Sequence, residues 1–468
     1  MKINDKRSAI LADQQAVTQL LTEAGARAAH YLATLDDRPV QPTRAAIDRL
    51  TELGGDLPVA TTDPFTVLRL LDEIGSPATV ASAGRRFFGF VIGGSLPVTV
   101  AANWLTTAWD QNAGLFVASP TAARLEEYAL RWLLDLLHLP AEAAGAFVTG
   151  TSMAHVTGLA AARHALLRRQ GWDAENDGLF GAPPIKVVLS AEAHTTLIKA
   201  LAIVGFGRNN LIRVPVDNQG RLRIQDLPPL DSSTLLCIQA GNVNSGAFDP
   251  VDELCDRARA AGAWAHVDGA FGLWAAVVPE LAHLVKGAEK ADSWSTDAHK
   301  WLNVPYDSGL LFCRDADALR AAMSAPAAYL PQQIAREPSH YTPELSRRAR
   351  GVEVWAALRH LGRQGVTDLV ERCCQYATVF ADGLRAAGYE ILNDVVLNQV
   401  LVSFGTPEVT HRVIKRIQED GTAWCGGTVW QGRTAMRISV SSWATTGDDI
   451  ERSLEAMLAA ARQEIAGS

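Results

Sequence analysis

Lys300 stands in the run Asp297-Ala298-His299-Lys300-Trp301. A lysine ammonium is strongly hydrated, so an apolar setting depresses its pKa. The neutral amine is the form that condenses with a carbonyl to give a Schiff base. Taken singly, a lysine is most often a solvated surface residue. The motifs elsewhere in the chain shift that reading.

The run His266-Val267-Asp268-Gly269-Ala270 puts a carboxylate at the end of an apolar stretch. A carboxylate beside a ring nitrogen favours the protonated, electron-withdrawing ring. Gly269 and Ala270 leave room for a flat group, although a lone aspartate in such a place also serves as a turn or cap residue. In Thr149-Gly150-Thr151-Ser152-Met153-Ala154-His155, Gly150 permits close backbone approach. Thr151 and Ser152 add hydroxyls to free helical N–H groups, a combination suited to a phosphate dianion. Capped helix starts are common, and no Gly-Lys-Ser/Thr follows as a P-loop requires. Ala193-His194-Thr195 offers an imidazole that either stacks on a ring and bonds a carboxylate or caps a helix. Amine, carboxylate, phosphate site and stacking imidazole together are what pyridoxal 5′-phosphate (PLP) requires.

The elements that position these residues are legible from periodicity. Short apolar runs at Ala146–Thr149, Val187–Ser190, Leu211–Val214, Leu235–Gln239, Trp264–Val267, Ser293–Ser295 and Leu310–Cys313 alternate with helical stretches. That alternation predicts an α/β fold with a mostly parallel central sheet flanked by helices. Ligands bind at the carboxyl ends of such strands, where the motifs fall. Residues 1 to about 90 read as an N-terminal helical segment, with helices at Asp13–Leu35 and Pro64–Ile74. A further helix is expected from Pro120 to Leu137, capped by Ser119, burying Leu125, Tyr128, Trp132 and Leu136. A large domain then spans 91–355. Residues 356–468 read as a small C-terminal α+β domain with strands at Gln399–Phe404 and Ala435–Val440 and a closing helix at Gly447–Ala461. Ser324–Tyr341, with Pro326, Pro331 and Pro338, reads as a long exposed loop.

Composition narrows the class. The 468 residues are 48% apolar and 20% charged, ordinary for a globular protein. A net charge of −8 argues against nucleic-acid or anionic-membrane partners. No apolar run spans a bilayer, and Met1–Asp13 lacks a signal peptide's apolar stretch. Six cysteines in so long a chain suggest no disulfide framework, no pair has zinc spacing, and no metal is expected. A cytoplasmic, reducing setting is the expectation.

From about Phe87 to the C-terminal helix the sequence resembles the group II PLP-dependent decarboxylases of fold type I, which include aromatic L-amino-acid, histidine and glutamate decarboxylases. The His-Lys-Trp signature at 299–301, His-Val-Asp-x-Ala at 266–270 and Ala-His at 193–194 occur in the family's order and spacing. The resemblance implies that Lys300 holds PLP as a Schiff base and that Asp268 pairs with the ring nitrogen. It implies that Ala270 and His194 pack on opposite ring faces, and that Thr151 and Ser152 bind phosphate with help from His299. Asn244 stands where the family has a polar residue contacting ring or phosphate. Tyr329 matches a loop tyrosine that protonates the substrate's Cα after CO₂ leaves, and Arg437 matches an arginine near the active site. A homodimer is implied as well, with residues 1 to about 90 contributing to it.

Two departures stand out. Asp297 replaces an asparagine frequent in the family, and since a carboxylate repels phosphate it is given no phosphate contact. The lip Phe87-Phe88-Gly89-Phe90-Val91-Ile92-Gly93-Gly94 fits neither the glutamate nor the aromatic decarboxylase pattern. Phe90, Val91 and Ile92 favour an apolar or aromatic substrate over an acidic one, with Phe90 and Gly93 as candidate substrate contacts, although such residues suit a core equally. The expected reaction is α-decarboxylation of an L-amino acid to an amine. The alternatives are an aldehyde synthase, which typically carries phenylalanine in place of the loop tyrosine, an aminotransferase, or a non-catalytic binding protein on the retained fold.

Overall fold

The computed structural model describes residues 14–324 and 336–466. Seven strands form the central sheet: β1 (Ala144–Val148), β2 (Lys186–Ser190), β3 (Leu211–Val214), β4 (Thr234–Gln239), β5 (Trp264–Asp268), β6 (Ser293–Asp297) and β7 (Gly309–Cys313). Their order is β1-β7-β6-β5-β4-β2-β3. From β3 to β6 every pairing is parallel. β7 runs antiparallel to both β6 and β1, so the other six strands share one direction. The carboxyl ends of β1, β2, β4, β5 and β6 therefore open on one edge of the sheet.

β4, β5, β6 and β7 are buried along their whole length. Strands covered on both faces need apolar residues at successive positions rather than in alternation. Side chains still alternate between faces. Leu235 and Cys237 join the cluster under the helix Thr151–Arg169, while Leu236 and Ile238 join the larger one containing Trp274 and Trp294. That larger cluster continues without a break into the second sheet through Val400, Val402, Met436 and Ile438.

The second sheet contains β8 (Glu390–Ile391), β9 (Gln399–Ser403), β10 (Gly426–Trp430) and β11 (Arg433–Ser439), antiparallel in the order β10-β11-β9-β8. β10 was not foreseen: its burial is patchy, and it holds two glycines and no apolar alternation. The expected boundary at 355/356 falls inside the helix Gly351–Ala386, which is interrupted at Gly362 (φ 61°).

The helix expected after Ser119 spans Pro120–Leu136, but two details differ. Ser119 Oγ donates to Leu115 O rather than capping the helix. Leu136 is buried and Leu125 and Trp132 pack partly buried as expected, but Tyr128 is exposed and the buried face also takes in Ala122, Glu126, Ala129, Leu130 and Leu133. Glu126 is drawn inward because Arg347 (2.8 Å) and Arg336 (2.9 Å) neutralise it, and a buried charge needs such partners. In the expected exposed loop, Pro338–Tyr341 forms a 3₁₀ turn with Pro338 and Ser339 buried. Tyr329 lies outside the described residues. Among the described residues no helix is long and apolar enough to cross a membrane.

Candidate active site

Each strand end delivers one part of the site. β6 ends at Asp297, and three residues on is Lys300, half-buried with its Nζ 5.5 Å from the centre of the Phe271 ring. Burial lowers the Lys300 pKa, against the opposing pull of Asp297 and Asp268. The amine is thus biased toward the neutral, nucleophilic form. Gly93 fixes the same stretch from outside: its N–H donates to His299 O (3.2 Å), and a Cβ there would stand 1.9 Å from Lys300 O. Only glycine permits that approach.

β5 ends at Asp268, whose side chain is 5% exposed. Burial works against its charge, but His155, with lesser help from His194 and Lys300, outweighs it and holds the carboxyl well below the usual carboxylate range. Asp268 Oδ1 accepts the Ala270 N–H at 3.1 Å. β2 leads to His194, the N-cap of the helix Thr195–Ile203. Its Nδ1 accepts the Thr196 N–H (3.3 Å) and lies 2.7 Å from Thr196 Oγ1. A neutral ring used this way carries its proton on Nε2. Burial lowers the His194 pKa, which keeps the ring neutral.

β1 feeds Thr149 and Gly150 into the helix Thr151–Arg169. The first turn of a helix has N–H groups without intrahelical acceptors and a positive dipole end. Asp297 already uses part of that capacity. Its Oδ2 accepts from Thr151 N (2.9 Å) and Thr151 Oγ1 (2.6 Å), and its Oδ1 is 2.9 Å from His299 Nδ1. Asp297, given no phosphate contact from the sequence, reaches the helix N-terminus because β6 and β1 are separated only by β7.

These groups share one cavity of ~350 Å³, lined by Gly150, Thr151, Ser152, His194, Asp268, Ala270, Asp297, His299 and Lys300. Thr149, Met153, Thr196, Gly241, Val243 and Phe271 line it too and were missed. Phe271 adjoins Ala270 in the motif and was there to be found. Gly241 and Val243 face the cavity while the side chains of Asn242 and Asn244 are engaged elsewhere. Asn242 donates to Glu192 (3.0 Å), and Asn244 Oδ1 accepts from Thr428 (3.0 Å). Asn244 is thus turned toward the second sheet, where Arg437 also bonds Val243 O (3.1 Å). Phe90 is 61% exposed, has φ 59°, and stacks on Trp424 at 5.4 Å, away from the cavity lining.

Residues 77–406 match the family described as the pyridoxal-dependent decarboxylase conserved domain. The chain belongs to that family. Tryptophan decarboxylase 1 of Oryza sativa subsp. japonica is 27% identical over 88% of this chain and 87% of its own length. L-2,4-diaminobutyrate decarboxylase of Rhizobium meliloti (strain 1021) is 28% identical over 96% and 91%. The crystal structure of the Oryza sativa TDC with PLP and tryptamine, 24% identical, superposes with a TM-score of 0.88 over 97% of this chain and 99% of that one. As a pyridoxal-dependent decarboxylase this chain uses PLP and acts on an amino acid. The cavity fits the cofactor. It offers an amine, a carboxylate kept anionic, an imidazole and a helix N-terminus within one enclosure.

Proposed function

We propose that the chain removes the α-carboxylate of an L-amino acid with an apolar or aromatic side chain, releasing the amine and CO₂. The observation that carries this reading is the convergence of Lys300, Asp268, His194 and the Thr151 helix N-terminus on one cavity. PLP, when bound, supplies an electron sink for the pair left on Cα as CO₂ departs. Lys300 is the amine that holds its aldehyde carbon. Asp268 would hold the ring nitrogen in its protonated form, and Ala270 and His194 would hold the ring. Thr151, Ser152, Gly150 and His299 receive the phosphate. His194, protonated on Nε2, can donate to a substrate carboxylate. Arg437, placed near the site by resemblance, bonds Val243 O at 3.1 Å beside the cavity lining. Proton return to Cα is assigned by resemblance to Tyr329.

For the substrate, Met153, Val243 and Phe271 supply an apolar lining. Among the described lining residues the groups that can carry positive charge, Lys300, His194 and His299, are those assigned to the cofactor, which leaves no dedicated partner there for an acidic side chain. The two relatives above act on an aromatic and on a basic amino acid by name. A panel of L-amino acids assayed for amine and CO₂ tests the assignment. Preferential turnover of glutamate or aspartate would overturn it.

A homodimer is part of the proposal. The helices Gln14–Ala33 and Pro97–Trp109 pack together near Gly25 and Trp104, yet leave Leu21, Leu32, Trp104, Leu105 and Trp109 exposed. Apolar side chains clustered on helix faces call for a covering surface. A fully active monomer by light scattering would contradict it. A cytoplasmic setting accords with six free cysteines, five of them buried.

A further inference from the structure

Behind Asp268 lies a row of buried polar groups that the site described so far does not use. His155, in the second turn of the helix Thr151–Arg169, is fully buried. Its Nε2 lies 3.4 Å from Asp268 Oδ2, and its Nδ1 lies 3.0 Å from His266 Nε2. His266 Nδ1 is 2.8 Å from Ser293 Oγ, which accepts the Trp264 indole N–H at 2.9 Å. His266, Ser293 and Trp264 are buried as well.

Gly158 explains how a helical side chain reaches this position. A Cβ at Gly158 would stand 2.7 Å from Leu311 Cδ1 and 3.3 Å from His266 Cε1. The helix therefore rests on the sheet more closely than a side chain there would permit. His155 is three residues earlier on the same helix face, so the close approach sets it against the end of β5.

One assignment of protons satisfies each bond of the row. Ser293 Oγ accepts from Trp264 and retains its own proton to donate to His266 Nδ1. His266 is neutral, because burial pushes its pKa down to about 3. With Nδ1 accepting, its proton is on Nε2 and points at His155 Nδ1. The His155 proton is then on Nε2, facing the carboxylate. A doubly protonated His155 with the other bonds reversed leaves the same N–H toward Asp268. A bare Nε2 would set a lone pair against an anion in a buried site, which is costly.

We propose that His155 is a positioning residue for the electron sink: its Nε2–H holds the Asp268 carboxylate in orientation and in its anionic form, and His266, Ser293 and Trp264 hold His155 in turn. The proposal rests on the reading of Asp268 as the partner of the ring nitrogen. The Ala270 N–H bonds Oδ1 and His155 Nε2 lies 3.4 Å from Oδ2, on a carboxylate that also lines the cavity.

The test uses holoenzyme reconstituted with PLP labelled with ¹⁵N in the ring, in wild type, His155→Leu and His155→Gln. Thermal melting and cofactor stoichiometry establish that each variant is folded and loaded. The wild-type ring nitrogen should show the protonated chemical shift. In His155→Leu it should move toward the unprotonated value, and kcat should fall about tenfold or more, the scale seen when an outer-shell partner is lost, with KM little changed. His155→Gln, which restores a donor, should recover part of both. An unchanged ring-nitrogen signal in loaded His155→Leu would overturn the proposal. An unprotonated nitrogen in the wild type would instead overturn the reading of Asp268 beneath it. If His155→Leu does not fold, neutron diffraction of the wild-type holoenzyme decides the matter: deuterium on Nε2 supports the proposal, and a bare Nε2 overturns it.

Discussion

Asp297 Oδ2 accepts two hydrogen bonds from Thr151, one from its backbone N–H at 2.9 Å and one from its hydroxyl at 2.6 Å. A carboxylate thereby occupies part of the anion-binding capacity of a helix N-terminus assigned to the cofactor phosphate. Two anions at one site repel, and the enclosure weakens solvent screening. Asp297→Asn should therefore tighten PLP binding, by about tenfold or ~1.4 kcal/mol. The measurement is a cofactor titration of apoenzyme followed by absorbance. Weaker binding by the asparagine variant would show that Asp297 supports the phosphate site.

Lys300→Ala should abolish covalent capture of the cofactor. Borohydride treatment of the wild type should fix PLP to the peptide containing Lys300, and the variant should give no adduct. An adduct mapped to Lys186 or Lys199 would displace the assignment.

Asp268→Ala should retain some cofactor through phosphate and aldehyde contacts, yet lose about three powers of ten or more in turnover, because a neutral ring is a poor electron sink. Turnover is compared at saturating PLP. A near-normal rate would place the essential carboxylate elsewhere.

Tyr329→Phe separates loss of CO₂ from return of the proton. By the family resemblance the variant should still release CO₂ but give less amine and more aldehyde. The amine-to-CO₂ ratio on one substrate reads this directly. A ratio that stays near unity would transfer the protonation step to another group, with His194 the first to examine.

Two buried groups should oppose each other in the pH dependence of stability. His266, with a folded pKa of about 3 against 6.5, is neutral in the fold but takes up a proton when the chain unfolds below pH 6.5. Its contribution is intact above 6.5 and is lost as pH falls toward 3. Asp249, pushed up to about 7 from 3.8 by burial, binds a proton in the fold first and stabilises in the opposite direction as pH falls from 7 toward 3.8. Asp249→Asn removes the second effect. Whatever its constant offset, its Tm should fall more steeply than that of the wild type between pH 6.5 and 4.5. Parallel profiles by scanning calorimetry would refute this.

The sequence by itself determined the strand–helix alternation of the central domain, because a sheet covered on both faces imposes short apolar runs that survive in one dimension. It also determined Lys300, Asp268, Ala270, His194 and the Thr151–Ser152 turn as chemical candidates, because each follows a strand and ligand sites gather at strand ends. What it left open depends on the order of strands. Thr151 and Asp297 are 146 positions apart and meet only because β7 alone lies between β1 and β6. His155 looks like an ordinary helical residue until Gly158 seats its helix against β5. Val243 lines the cavity and Asn244 does not, because the direction of a side chain in a loop is not visible in a sequence. Glu126 broke the expected apolar face because its partners, Arg336 and Arg347, come from a segment over two hundred residues later. Periodicity reports which residues seek burial; which groups they meet there is set by the sheet order and the closeness of packing, and those exist only once the chain has folded.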